Sequence, residues 1–234
     1  MPAERVVPLA AFPSEVNGLN IRTFAVIGVT LAAAAQQPGV NFYSVEKEIE
    51  FGRQQAVKLA ETLRSLDSPA AKAYVDRMVQ ELAKQIADSR FPYLVTLVQD
   101  GLGAEPKVLM GGQIFLSAEQ IRAARSEGEF VGLLADAMAR VVDRDASRSA
   151  SRNTLRQMAS ASAERVRDFD LQADALAAKT LVALGYSPIE LADYLERTLK
   201  NDDPRRVAAL RATASPAVRK DSDEYLRMRE SIAK

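Results

Sequence analysis

Helix start signals constrain the fold of this chain more than any other feature. Ser68 followed by Pro69 is typical of a helix start, because serine caps the first turn and proline fits the first helical position. Ser126 and Glu129 form an S-x-x-E capping box, which predicts a helix from about Glu127. These signals predict a chain that is mostly helical.

Apolar residues at helical spacing follow these helix starts and predict how far each helix continues. A first helix, capped by Ser44, is predicted to continue to about Leu66 with the apolar stripe Ile49, Val57, Leu59 and Leu63. The helix after Pro69 carries Tyr74, Met78, Val79, Leu82 and Ile86, and the helix after Glu127 carries Phe130, Leu134, Met138 and Val141.

The C-terminal third carries further stop and start signals. Gly185 is predicted to end one helix, and Ser187-Pro188 with Glu190 to begin the next. A polar break at Asn201 to Pro204 is predicted to separate a short helical tail from the rest.

One stretch changes to strand-like sequence. Phe91 to Val98 is rich in β-branched and aromatic residues, which favours a strand. Lys107 to Met110 and Gln113 to Leu116 flank Gly111-Gly112, an order typical of strand, tight turn and strand. The predicted fold class is therefore α+β, predominantly α-helical, with a small β-sheet.

Composition limits the possible partners. Lys+Arg and Asp+Glu both number 31, so no net field attracts nucleic acid. The chain contains neither cysteine nor histidine, which excludes disulfides and the nitrogen and sulfur ligands of zinc. A length of 234 residues with 47% hydrophobic residues suits one ordinary domain.

The N-terminus predicts export. Arg22 precedes an apolar run, Thr23 to Ala35, which has the length of a signal-peptide core and is too short to span a bilayer. Ala33 and Ala35 satisfy an A-x-A cleavage pattern before Gln36, although a buried N-terminal helix is the alternative. We expect residues 1–35 to form a signal peptide with a long leading region. Residues 36–234 are then one domain, periplasmic or extracellular, with no stable membrane span after cleavage.

Two helical segments carry the residues on which a functional prediction rests. The first reads LLADAMARVVDRDA and contains Asp136, Ala137 and Arg140. Asp136 and Arg140 are four residues apart and therefore share one helix face. The second segment reads DLQADALAAKTLVALGYSP and contains Asp170 and Asp174.

In order and spacing, these segments resemble the HExxH and ExxxD helices of the HtpX/BepA-type zinc metallopeptidases, the gluzincin family that includes the CAAX prenyl protease. The segment NFYSVEKEIEFGRQ resembles the opening of the periplasmic members. The segment KVLMGGQIFLS resembles the hairpin that borders their active-site cleft. The resemblance covers about Asn41 to Lys234 and implies a minimal gluzincin-like domain with a cleft between helices.

The resemblance assigns a role to each aligned position. Asp136 and Arg140 stand at the two zinc-binding histidines, and Ala137 stands at the glutamate that acts as general base. Asp170 aligns with the third zinc ligand, and Asp174 aligns with an aspartate that supports the ligands. The positions of two further family histidines hold Asp145 and Ser215. The hairpin residues implied to line the substrate cleft, where an extended peptide would add as a strand, are Gly111, Gly112, Gln113 and Phe115.

The family's metal chemistry is not available from these residues. Ala137 cannot take a proton, and Arg140 is a permanent cation that cannot ligate a metal. We therefore expect no metal ligand and no cofactor, although zinc is the family's metal. The prediction is a catalytically inactive pseudoprotease of the cell envelope that binds an unfolded or extended peptide or a partner protein. The alternative is an active metalloendopeptidase or other hydrolase that uses non-standard residues.

The residues at the family's metal-binding positions also predict a contact between the two helices. Asp136, Asp170 and Asp174 would gather three carboxylates, which repel one another. The planar fork of Arg140 could bridge carboxylates of both helices and tie the helices together as a metal ion otherwise would. The alternative turns Arg140 into solvent, paired at most with Asp136.

Overall fold

The start signals of the sequence stand at the observed helix starts. The computed structural model describes residues 41–86, 90–144, 146–151, 165–199, 204–213, 215–217 and 219–232, with only the backbone of 165–169. All of these residues belong to one compact unit, Val40–Lys234. The predicted signal peptide and Asp145 lie outside the described residues.

The described elements follow one another in the order α1 (Val45–Ala60), α2 (Pro69–Gln85), β1 (Leu94–Val98), β2 (Lys107–Val108), β3 (Gln113–Ser117), α3 (Ala118–Ala123), α4 (Glu127–Val142), α5 (Arg165–Ala183), α6 (Pro188–Thr198), α7 (Pro204–Ala212) and α8 (Asp223–Ile232). A 3₁₀ turn, Met110–Gly112, precedes β3, and residues 146–151 are helical. The α+β, predominantly helical fold class is confirmed.

Side-chain caps explain where several helices begin. The Ser68 hydroxyl accepts a hydrogen bond from the Ala71 amide, with proline at the first helical position, as predicted. A complete capping box joins Ser187 and Glu190 at the start of α6. Gly185 has φ +83° just after α5, the left-handed conformation of a helix-ending glycine.

The capping box predicted at α4 is only half present. Ser126 accepts from the Glu129 amide, so the helix begins at Glu127 as predicted. The Glu129 carboxylate instead accepts from the Arg125 amide and pairs with Arg197 of α6 at 2.6 Å. The Glu129 carboxylate is thus bound by the Arg125 amide and the Arg197 guanidinium, and these contacts replace the expected bond from the Ser126 amide.

The first helix is shorter than predicted. α1 ends at Ala60 rather than near Leu66, because the following residues pair with the edge of β1. The Leu66 amide donates to the Leu97 carbonyl, and the Gln99 amide donates to the Arg64 carbonyl. Val57, placed in the predicted apolar stripe, is 61% exposed.

The sheet is small, and β3 is its central strand. β3 pairs in parallel with β1 and antiparallel with β2, which confirms the predicted hairpin. Two strands are shorter than predicted: β1 begins at Leu94 rather than Phe91, and β2 ends at Val108 before the 3₁₀ turn. β3 begins at Gln113 as predicted and ends one residue later, at Ser117. Every residue of β3 is buried.

The core surrounds α4, in which every residue except Arg140 and Val142 is buried. Gly132 lets α6 approach closely, since a Cβ there would lie 2.9 Å from the Leu191 Cβ. The predicted apolar residues of α2 and α4 all belong to this core. None of the described helices is long and apolar enough to cross a membrane.

The C-terminal segment is more than a peripheral tail. It forms two helices, and Tyr225 of α8 is fully buried against Tyr74 and Phe130, with ring centroids 5.8 and 5.9 Å away. Glu127 is 1% exposed and accepts hydrogen bonds from the Tyr74 hydroxyl and the Ser222 amide, which holds α8 to the rest of the domain.

Candidate functional site

The candidate site is built on the C-terminal half of α4. Asp136 and Arg140 lie one turn apart, and the buried Ala137 next to Asp136 presents only a methyl group. The neighbouring α5 brings Asp170 and Asp174 to the same place, again one turn apart. The five aligned positions are thus on two adjoining helices.

The Arg140 guanidinium lies between these helices. Its Nε donates to Asp136 Oδ2 at 2.9 Å, and its Nη1 donates to Asp170 Oδ1 at 2.6 Å. A weaker contact of 3.4 Å joins Nη2 to Glu105 Oε1, from the loop before β2. The predicted bridge to Asp170 is therefore confirmed. Arg140 is not turned into solvent, since its side chain is only 17% exposed.

A second guanidinium, absent from the sequence-based prediction, completes the arrangement. Arg206 of α7 donates two hydrogen bonds of 2.9 Å to Asp174, from Nε to Oδ2 and from Nη2 to Oδ1. It also contacts Glu105 at 3.0 Å and Asp136 at 3.4 Å. Its side chain is 3% exposed. Arg140 thus bridges to α5 through Asp170, and Arg206 binds Asp174.

We call these six residues the charge cluster: Glu105, Asp136, Arg140, Asp170, Asp174 and Arg206. It joins α4, α5, α7 and the loop before β2. The three aligned aspartates did indicate that a second cation is needed, because one arginine cannot neutralise three carboxylates that are shielded from water. No spacing rule reaches a partner more than thirty residues away, however, so the identity of the second cation was hidden.

Burial and neighbouring charges set the protonation of the cluster. Burial opposes the charged form of Arg140, but Asp136, Glu105 and Asp170 outweigh it and hold the pKa of the guanidinium above its usual value. Burial raises the pKa of Asp174 to about 6, although the hydrogen bonds from Arg206 oppose this rise, and the Asp136 charge adds to it. Asp174 therefore binds a proton more tightly in the folded chain than in the unfolded one.

This shift predicts a pH dependence of stability. Protonation of Asp174 favours the folded state, so its contribution is fully present below pH 3.8 and is lost as pH rises through about 6. Between pH 5 and pH 8 the free energy of unfolding should fall by about 1.4 kcal/mol relative to Asp174→Asn, which cannot ionise. Urea unfolding of both proteins across this range measures the difference. A difference that stays constant or grows would contradict the assignment.

The charge cluster does not fit zinc. Zinc favours imidazole and thiolate donors, of which the chain has none. The carboxylate oxygens that could serve as ligands are bonded to Arg140 and Arg206. Within the described ranges, no group of three acidic side chains is arranged to hold a metal ion.

Of the hairpin residues assigned to a substrate cleft, Gly111 and Gln113 lie against α1, and the Gly112 backbone approaches Pro92 instead. Gly111, Gly112, Gln113 and Phe115 are all buried. Because β3 is paired on both sides, its main chain offers no free edge to a peptide. The resemblance implied an open cleft here, and α1 covers this surface instead. Ser215, the other replaced histidine position, is half-buried.

A polar latch fastens α1 at this place. Arg144 pairs with Glu48 of α1 and also donates to the Tyr43 carbonyl at 2.5 Å. The side-chain amide of Asn41 donates to the Ser147 hydroxyl at 2.8 Å, and the backbone amide of Phe42 donates to the Ser151 hydroxyl at 3.1 Å. The segment that resembles the family's opening therefore docks against the residues that follow α4.

No protein-family model matches the chain, and no curated protein matches it either. The family resemblance therefore rests on the order and spacing of the residues in this sequence.

Proposed function

We propose that this chain is a peptidase-like protein of the HtpX/BepA type that has lost catalysis and acts as a binding protein of the cell envelope. The observation that carries the proposal is the position of Arg140. Its guanidinium bonds Asp136 and Asp170 at 2.9 and 2.6 Å, which are two of the positions where the family would hold its metal. A permanent cation between them takes up the carboxylates that a metal would need.

The chemistry around Arg140 supports the same proposal. A hydrolase of this type needs a base beside the metal, and Ala137 has no group that accepts a proton. The buried carboxylates hold guanidinium groups through several hydrogen bonds, which leaves them poorly placed to activate water. The proposed role is therefore to bind an extended peptide or an envelope protein after export, without cleaving it.

Metal content and activity of the exported chain test this proposal. Expressed with its own N-terminus in a Gram-negative host, the chain should be recovered from the envelope fraction with a new N-terminus near Gln36. It should purify without stoichiometric zinc, and unfolded casein should remain uncut. Stoichiometric zinc together with chelator-sensitive cleavage would instead establish the alternative, an active metalloendopeptidase.

A variant that restores the family's residues provides the matched control. It combines Asp136→His, Ala137→Glu, Arg140→His and Asp170→Glu, and it should bind about one zinc ion per chain if the aligned positions converge as a metal site. A folded variant that binds no zinc would count against the family resemblance itself. Circular dichroism distinguishes that outcome from loss of the fold.

A further inference from the structure

We infer that α1 is a detachable strap, which closes the surface over the 3₁₀ turn Met110–Gly112 and can leave while the rest of the domain stays folded. The inference deepens the proposed function, because it says how a peptide would reach the covered hairpin. It rests on how α1 is attached, on what lies beneath it, and on what it leaves exposed.

The attachment of α1 is polar and narrow. Its only buried residues are Glu48 and Gly52, and it contributes no fully buried apolar side chain to the core. Val45 and Ile49 are only partly buried against that core. Apart from the half-buried Ala56 and Leu59, the other residues of the helix face solvent, including Phe51 at 46% and Val57 at 61% exposure. Segments with few buried apolar contacts are those that open locally at the lowest free energy.

Close backbone contact and the polar latch replace an apolar interface. A Cβ on Gly52 would lie 1.9 Å from the Met110 carbonyl oxygen, and a Cβ on Gly111 would lie 2.5 Å from the Glu48 carbonyl oxygen. Both positions are therefore restricted to glycine by the approach of α1 to the turn. The Glu48 carboxylate beneath α1 pairs with Arg144. Breaking this pair and widening the glycine contact are two independent ways to release the helix.

The surface under α1 contains a buried polar group that no described residue satisfies. Gln113 is 6% exposed, and its Nε2 has no hydrogen-bond partner among the residues that the structure describes. Its Cγ lies 3.4 Å from where a Gly52 Cβ would stand, so α1 covers this side chain. A buried donor without an acceptor costs free energy that release of α1 would recover. The carbonyl of an extended peptide could accept this bond once the strap has left.

Release of α1 would also open a path to the charge cluster. A narrow gap of about 10 Å³, about the size of one water, is lined by residues that include Glu48, Gly111, Arg140 and Arg144. Glu48 forms part of its wall, so the gap opens when α1 moves. Movement of α1 would therefore widen the access to Arg140 from the side of the hairpin.

Hydrogen exchange measured by mass spectrometry tests the strap directly. In the wild-type chain, amides of α1 should exchange at least about tenfold faster than those of α4. Glu48→Gln weakens the latch and Gly52→Ala wedges the contact, so each should raise α1 exchange about tenfold further with α4 unchanged. The control Glu50→Gln, on the exposed face of the same helix, should match the wild type.

Binding of a fluorescein-labelled casein peptide, followed by anisotropy, separates the strap from the proposed function. If both hold, the two variants bind the peptide more tightly than the wild type and the control. Faster α1 exchange without binding supports the strap and removes peptide binding from the proposed function. Equal exchange rates of α1 and α4 in the wild-type chain would overturn the strap, because α1 would then open only with the whole domain.

Discussion

Replacing Arg140 by alanine should lower the free energy of unfolding by about 3–5 kcal/mol. Asp136 has a side chain only 2% exposed, and it loses its closest cation when the guanidinium is removed. Asp170 loses its bond of 2.6 Å, and the helices α4 and α5 lose a direct tie. Urea unfolding at pH 7.5 measures the loss, because a buried carboxylate that carries a negative charge destabilises the fold when its cation is removed.

The control for this prediction is Arg211→Ala. Arg211 also bonds two carboxylates, Asp193 at 2.9 Å and Glu196 at 2.6 Å, but its side chain is 46% exposed. Exposed pairs contribute little, so this variant should lose less than about 1 kcal/mol. If Arg140→Ala cost no more than the control, Arg140 would not be the tie between the helices that its hydrogen bonds indicate.

Local signals explain most of what the sequence predicted correctly. Caps act within one turn, so Ser68, Ser126 and Ser187 could be assigned from their immediate neighbours. The contact of Arg140 with Asp136 is equally local, since four residues on a helix are one turn. Its bond to Asp170 required the two helices to pack together, and only the family resemblance supplied that information.

Partners distant in the sequence account for what was missed. Arg206 lies 32 residues after Asp174 and beyond a polar break, so its side chain gave no pattern that pointed to the cluster. Glu105 lies in the loop before β2, where no helical or strand periodicity applies, yet it contacts both arginines. Buried charge pairs of this kind are set by tertiary packing, and no periodicity encodes them.

The position of α1 was also beyond the sequence signals. Its apolar residues do not form one stripe, because the side that contacts the turn is built from Glu48 and Gly52. Apolar periodicity therefore assigned Val57 to the core, where it does not lie. A glycine in a helix can mark a close approach of backbone, and Gly52 was the available hint that α1 covers the hairpin.

The second large effect is expected at Arg206. Arg206→Ala should destabilise the chain by about 3–5 kcal/mol, because the buried Asp174 loses both of its hydrogen bonds from this side chain. Arg206→Lys should lose about half as much, since an ammonium group keeps the charge but cannot form the two-pronged contact. The exposed neighbour Arg205, changed to alanine, provides a matched control that should cost less than about 1 kcal/mol.

A double variant shows whether the two arginines act as one unit. Both contact Asp136 and Glu105, so each single variant leaves one cation near the shared carboxylates. Arg140→Ala with Arg206→Ala leaves none, and at pH 7.5 the loss should exceed the sum of the single losses by about 0.5–3 kcal/mol. Lowering the pH to 5 should reduce this excess, because burial raises the pKa of Asp174 to about 6 and the protonated Asp174 no longer repels Asp136. Additive losses at both pH values would show two separate ion pairs, each with its own carboxylate, in place of one cluster.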